Sequence, residues 1–281
     1  MCEFCHKHGE GKKWYLEAKN YSDDLLSDIR RRKFINRFFT EITSLEKEEH
    51  DGQQLDKAPT LIRGIVKRLA IRKQKKVHYG QVLPIEDVER IFEFVNSVVR
   101  ISCICRHITL GKEKRYCYGI SLSPDGGKFG QLLRNVSANP SAPPLLRDIE
   151  NLSKEEAISA FRSHEHEGLC HSVWTFYTPF ICGLCNCDRT DCLAMRYTVT
   201  HGFPIMFRGE YVGRVNPDLC EGCRQCMRVC QFGAISYSPS DEKARIDAKW
   251  CYGCGVCRAL CKKDAIQLVE RASVPAAAKL W

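Results

Sequence analysis

The chain has 281 residues and a mass of 32.2 kDa, with 44% hydrophobic and 27% charged residues, enough to bury a core and too apolar for wholesale disorder. Its 18 cysteines exceed ordinary usage, yet a chain of this length is no small secreted scaffold that needs disulfide staples. The net charge of +9 is uneven: residues 1–50 balance at ten basic against ten acidic, while residues 51–115 carry fourteen basic and seven acidic.

The start, Met1-Cys2-Glu3-Phe4-Cys5, stays polar through Lys13 and lacks the apolar run of a secretory signal. No stretch approaches the roughly 18 apolar residues of a membrane span. The expectation is a cytoplasmic protein in a reducing compartment, where clustered cysteines bind metal rather than pair as disulfides. Cys2 and Cys5, with His6 and His8 beside them, make half a metal site: they suit zinc, complete a cluster begun elsewhere, or stay free thiols.

Residues 1–100 read as a helical N-terminal region. Ser22 before Asp23 and Asp24 is an N-cap with acids in the first turn. Leu25, Ile29, Ile35, Phe38, Phe39, Ile42 and Leu45 follow at mostly helical intervals. A basic segment, 57–76, holds Lys57, Arg63, Lys67, Arg68, Arg72, Lys73, Lys75 and Lys76, which suits a solvated helix face or an acidic partner; no nucleic-acid fold signature accompanies it. The next helix is expected from Pro84 to near Ser102, with Val88, Phe92, Val95 and Val99 on one face.

Residues 101–209 form a cysteine-rich middle of irregular character with one clear helix, announced by the capping-box pair Ser153 and Glu156 and stopped by Gly168. Gly126-Gly127 and the Pro140, Pro143, Pro144 cluster read as loops, and Val173 to Phe180 as a short strand. His164 and His166 suit a helix C-terminus and a solvated role, whereas His171, beside Cys170, is either a ligand or cluster neighbour or a buried structural residue.

Residues 210–270 contain an internal repeat, and 271–281 a tail. Cys220, Cys223, Cys226 and Cys230 recur at an offset of 31 as Cys251, Cys254, Cys257 and Cys261, together with Gly222 and Gly253, Ala234 and Ala265, Ile235 and Ile266. Each half reads C-x2-C-x2-C-x3-C, the spacing of bacterial two-cluster ferredoxins, whose fourth cysteine reaches across to the other cluster. By that rule Cys220, Cys223, Cys226 and Cys261 hold one 4Fe-4S cluster, and Cys251, Cys254, Cys257 and Cys230 hold the second. Paired zinc ribbons, the competing reading, use two C-x2-C knuckles set well apart.

On these motifs, residues 216–270 resemble a 2x 4Fe-4S ferredoxin domain. The sequence departs from that family after each fourth cysteine, where the usual Pro is Gln231 in the first half and Lys262 in the second. Proline there shapes a turn and ligates nothing, so the departure leaves the ligands intact. A further stretch is similar to the region upstream of the ferredoxin end in dicluster iron-sulfur proteins of anaerobes. The matching motifs are Cys103-Ile104-Cys105-Arg106, Cys117, Gly168-Leu169-Cys170-His171 and Cys185-Asn186-Cys187, followed by Cys192. Such proteins are mostly redox partners of larger enzymes, so the resemblance implies a class rather than a substrate.

Eight middle cysteines are too many for core filling. Cys103, Cys105, Cys117, Cys182, Cys185, Cys187 and Cys192 are the candidates for an additional site, a further iron-sulfur cluster or zinc, with unliganded thiols as the alternative. There is no G-x-G-x-x-G, Walker A loop or G-x-S-x-G elbow, so nicotinamide or flavin chemistry would belong to another subunit. The expected whole is an α+β iron-sulfur protein: helical N-terminal part, cysteine-rich middle domain, C-terminal two-cluster ferredoxin-like domain. Its expected work is one-electron transfer to or from a redox partner with an acidic docking surface, as carrier or subunit rather than stand-alone enzyme. A reductase with an open-site cluster in the middle domain is the first alternative, and a regulatory or nucleic-acid-binding iron-sulfur protein the second.

Overall fold

A computed structural model describes residues 13–41, 59–138 and 149–280. Cys2, Cys5, His6, His8, Ile42, Leu45, Lys57 and the Pro140, Pro143, Pro144 cluster lie outside the described residues. Ser22 accepts a hydrogen bond from the Asp24 amide, but the turn it starts is a 3-10 turn over Asp23–Ser27. The α-helix, α1 (Ile29–Thr40), begins afresh after Asp28, whose carboxylate accepts from the Arg30 amide. Ile35 and Phe39 of this helix are buried, as is Leu26 before it, while Ile29 is exposed.

The basic segment lies on α2 (Thr60–Val77). Beyond it, β1 (Gly80–Leu83) leads into α3 (Ile85–Phe94), which starts after Pro84 with Glu86 and Asp87 in its first turn. The helix expected to reach Ser102 stops at Phe94, and Ser97–Ile101 is a strand, β2. Val98, Val99 and Ile101 are β-branched, and pairing on both sides, with β3 (Cys117–Ser121) and β4 (Glu150–Leu152), outweighs the helical spacing of Val95 and Val99.

The middle is more regular than its sequence suggests. α4 (Ile104–Leu110), α5 (Gly127–Ser137), α6 (Lys154–His166) and α7 (Leu193–Val199) flank strands β5 (Cys170–Thr175), β6 (Ile181–Cys187) and β7 (Met206–Phe207). The capping box of α6 is present, with the Glu156 amide donating to Ser153 Oγ at 3.1 Å and the Ser153 amide to Glu156 Oε2 at 2.8 Å. One seven-stranded sheet runs β4-β2-β3-β6-β5-β1-β7, antiparallel except for β1 with β7. β1 and β2 lie in the N-terminal region expected to be helical, so this sheet crosses the expected boundary between residues 100 and 101.

Strand alternation sends two sets of side chains to opposite faces of the sheet. One face, covered by α3, α6 and the N-terminal turns, buries Trp14, Tyr15, Val88, Phe92, Tyr118, Phe161 and Leu184. The other buries Ile35, Phe39, Phe129, Trp174 and nearly all the middle cysteines. After the sheet come β8 (Tyr211–Val215), α8 (Gln225–Val229), β9 (Ile235–Ser238), β10 (Lys243–Ile246), α9 (Val256–Ala259) and β11 (Ile266–Glu270). β9 pairs with β10 and β8 with β11, which gives each half of the repeat one short helix and a share of two small sheets.

Candidate metal centres

In the repeat, each run of cysteines folds as a loop tight enough to need glycine. Gly222 and Gly253 have φ of +67° and +76°, and a Cβ at either would lie 2.2 Å from a carbonyl oxygen, of Glu242 or Tyr211. Backbone amides point at sulfur: Gly213 N at Cys251 Sγ (3.3 Å), Ala234 N at Cys230 Sγ (3.2 Å) and Ala244 N at Cys220 Sγ (3.5 Å). The thiols fall into two groups. Burial pushes the Cys226 thiol up to about 11, and its neighbours Cys220, Cys223 and Cys261 push the same way. Burial likewise raises Cys257, and the thiols that add to this are Cys254, Cys251 and Cys230, with Cys226 next. The first group borders a cavity of about 230 Å³, the second a cavity of about 20 Å³. Cys230 and Cys261 have thus crossed between halves.

A second concentration of sulfur sits at the centre of the seven-stranded sheet. The register sets Cys117 opposite Cys185, and Cys170 opposite Cys187. Cys103, just before α4, is approached from two sides: Cys117 Sγ lies 3.3 Å from Cys103 Sγ, and the Tyr116 amide points at it from 3.0 Å. Cys185 Sγ lies 3.3 Å from Cys117 Sγ. On the other side, Cys105 of α4 and Cys187 line the same cavity as Cys192, just before α7, and their proximity lowers Cys192 and raises the other two. Six thiols from four segments therefore form one nest. Among the described residues, no three His, Cys, Asp or Glu close round a point as a single metal ion requires; the thiols stand around a cavity of about 130 Å³.

Cys182 lines the same cavity, brought to this face by a bulge between β5 and β6, but its charged neighbour is Arg31 rather than another thiol. Arg106 is the nest's buried cation. Burial opposes its charge, yet Cys103, Cys187, Cys192 and Asp188 raise its pKa. It donates to Cys103 Sγ (3.6 Å), to the Asn186 carbonyl (3.0 Å) and to the Asp188 carboxylate. Aromatic rings of Phe38, Phe39, Trp174 and Phe176, with His78, form the cavity's apolar wall. Burial lowers His78 to about 4, so it is neutral at ordinary pH.

The histidines singled out from sequence stand elsewhere. His171 packs against Phe161 on the opposite face from the nest, with Nδ1 2.6 Å from Asn186 Oδ1. His164, expected to be solvated, is buried between Tyr118 (2.8 Å) and Glu167 (3.1 Å), because α6 turns that side onto the sheet; His166 is exposed.

Residues 208–265 match the 4Fe-4S dicluster domain. No curated protein matches the chain. The match supports two 4Fe-4S clusters and an iron-sulfur electron-transfer role for the dicluster domain. The positive-φ glycines, the amides aimed at sulfur and the two crossed thiol groups all fit such clusters.

The dicluster domain is seated firmly on the rest of the chain. Its second half meets α3 and α6, where Arg258 pairs with Glu86. Phe232 and Tyr252 stack at 3.9 Å with ring planes 2° apart, in the same buried group as Cys170, Cys187 and Cys192. The tail beyond the match also contributes. Arg271 is fully buried and donates to the carbonyls of Gly209 (2.7 Å), Tyr211 (2.8 Å) and Cys251 (2.8 Å), and Ala277 packs beside Cys251. Sequence reasoning assigns no role of their own to Cys170, Arg106 or Arg271. Their only signal is that Cys170 and Arg106 stand inside the motifs of the middle region.

Proposed function

We propose that the protein is a one-electron carrier, or the electron-transfer subunit of a larger anaerobic oxidoreductase. In this reading Cys220, Cys223, Cys226 and Cys261 hold one 4Fe-4S cluster, and Cys251, Cys254, Cys257 and Cys230 the other. A further iron-sulfur cluster takes its ligands from among Cys103, Cys105, Cys117, Cys185, Cys187 and Cys192. When bound, the clusters supply reversible one-electron chemistry. The residues supply burial, amide hydrogen bonds to sulfur and a docking surface.

The observation that carries the reading is the grouping of the repeat thiols across the two halves, Cys226 with Cys261 and Cys257 with Cys230. What supports the middle site is geometry: six thiols from four segments line one buried cavity beside the Arg106 guanidinium, and a bound cluster is the cation that would let them ionise there. The aromatic wall facing those thiols favours a second reading, a reductase that admits a substrate to the middle cluster. Among the described residues no helix is long and apolar enough to cross a membrane. A reducing, cytoplasmic setting and a partner with an acidic surface complete the proposal.

Anaerobic purification of the full chain, with iron and acid-labile sulfide analysis, tests it. The expected yield is about eight irons from the dicluster domain and more from the nest. Cys226→Ser should lose one cluster and disturb its neighbour, since the two groups exchange ligands between halves. Zinc in place of iron would overturn the assignment.

A further inference from the structure

The residue after the fourth cysteine of the first half, where ferredoxins usually have Pro, is Gln231, and its side chain leaves the dicluster domain altogether. Gln231 Nε2 donates to the carbonyl of Gly168 at 2.8 Å, at the end of α6. Gln231 Oε1 accepts from the backbone amide of Arg189 at 3.0 Å, in the turn between β6 and α7. Those two backbone groups flank the nest: Gly168 lies two residues before Cys170, and Arg189 lies between Cys187 and Cys192. Val229, the last residue of α8, packs on Gly168, within 3.6 Å of where its Cβ would stand. Cys170 belongs to the buried group that also contains Cys187 and Cys192, and Cys230 and Cys254 pack against that group.

We propose that Gln231 is a positioning residue, a clasp that fixes the Cys230 loop on the middle unit and so holds the second thiol group of the repeat at a set separation from the nest, with Cys170 between them. Proline at 231 can make neither bond, because it has no side-chain amide. The departure from the ferredoxin pattern is therefore the feature that turns a carrier module into one end of an internal electron path. Lys262, the equivalent residue in the second half, is exposed, and that half is tied to α3 by a different side chain, Arg258 pairing with Glu86. The electronic part of this inference rests on the metal occupancy proposed above; the clasp itself does not.

The test compares the full chain with Gln231→Pro and Gln231→Glu, all purified anaerobically. Gln231→Pro restores the usual residue, and Gln231→Glu keeps the acceptor while removing the donor, so the second variant remains informative if the first fails to fold. Hydrogen exchange reads the clasp without reference to metal: amides of 168–170 and 229–233 should exchange about fivefold or more faster in both variants, with less change in Gln231→Glu. Low-temperature EPR of the reduced proteins reads the path. Iron content should match the wild type, while the magnetic interaction between the dicluster domain and the nest is lost in Gln231→Pro. Unchanged exchange in both variants overturns the clasp. A wild type with dicluster signals and no nest signal overturns the middle-site reading instead, and the exchange result then decides the clasp alone.

Discussion

At the scale of single residues, Glu165 illustrates how the packing around the dicluster domain sets a pH dependence. It is buried on α6, where burial raises its carboxyl to about 7; Glu86 and Glu89 push the same way, against Arg258 and Arg162. One of its oxygens, Oε1, has no partner. The folded state therefore keeps its proton over a range in which the unfolded state, with an ordinary value near 4.5, has lost it. The folded chain binds more protons there, so stability falls as pH rises from about 5 to about 7, and levels above, where both states are ionised. The full change is on the order of 3 kcal/mol. Glu165→Gln, which mimics the neutral acid, should be no less stable than the wild type at pH 7.5 and should lose this slope. Anaerobic thermal unfolding between about pH 5.5 and 8 measures it, and an unaltered slope in the variant would assign the dependence to another group.

At the scale of elements, the nest is made by strand order. β3 and β6 are neighbours in the sheet, so Cys117 meets Cys185 in register although 68 positions separate them along the chain. α4 and α7 each follow a cysteine, Cys103 and Cys192, that faces the same cavity. Cys105→Ala with Cys187→Ala takes one thiol from α4 and one from β6. The pair should remove the iron in excess of about eight and leave the dicluster signals intact; unchanged total iron would mean that the nest holds thiols alone. How much of this is legible in the sequence follows from distance along the chain. The repeat is readable because each ligand run is local and its spacing is the geometry. The middle cysteines are readable as a group, but their sorting into six nest thiols, the outlying Cys182 and the bridging Cys170 depends on a bulge and a sheet order that no local pattern encodes. The strand Ser97–Ile101 reads as helix because Val95 and Val99 continue the spacing of the helix before it, and a five-residue segment offers too few positions to decide. Gln231 is visible as a departure, but its partners, Gly168 and Arg189, are far from it in sequence.

At the scale of the whole molecule, two surfaces are open to the proposed redox partner. Cys223 is exposed in the dicluster domain. The other surface is α2, which lies over the nest side of the sheet: Gln74 lines the thiol cavity, and Lys67 donates to the His201 carbonyl at 2.8 Å while lying 5.0 Å from the Phe203 ring. Arg68, Arg72, Lys73 and Lys76 are exposed on the same helix, interleaved with the exposed apolar residues Ile65, Val66 and Leu69. That mixture of cations and apolar side chains is suited to steering an acidic protein and then holding it. Replacing Arg68, Arg72, Lys73 and Lys76 with Gln spares Lys67, which belongs to the fold. The variant should keep its iron and its EPR spectrum, yet exchange electrons with an acidic partner more slowly, by about tenfold at low ionic strength. Added salt should narrow the difference, because exposed charges are screened within about 10 Å at 0.1 M. Stopped-flow kinetics against an acidic ferredoxin or flavodoxin at two salt concentrations measures both effects. Equal rates at low salt would make this face of α2 solvated surface and leave the exposed side of the dicluster domain as the docking site.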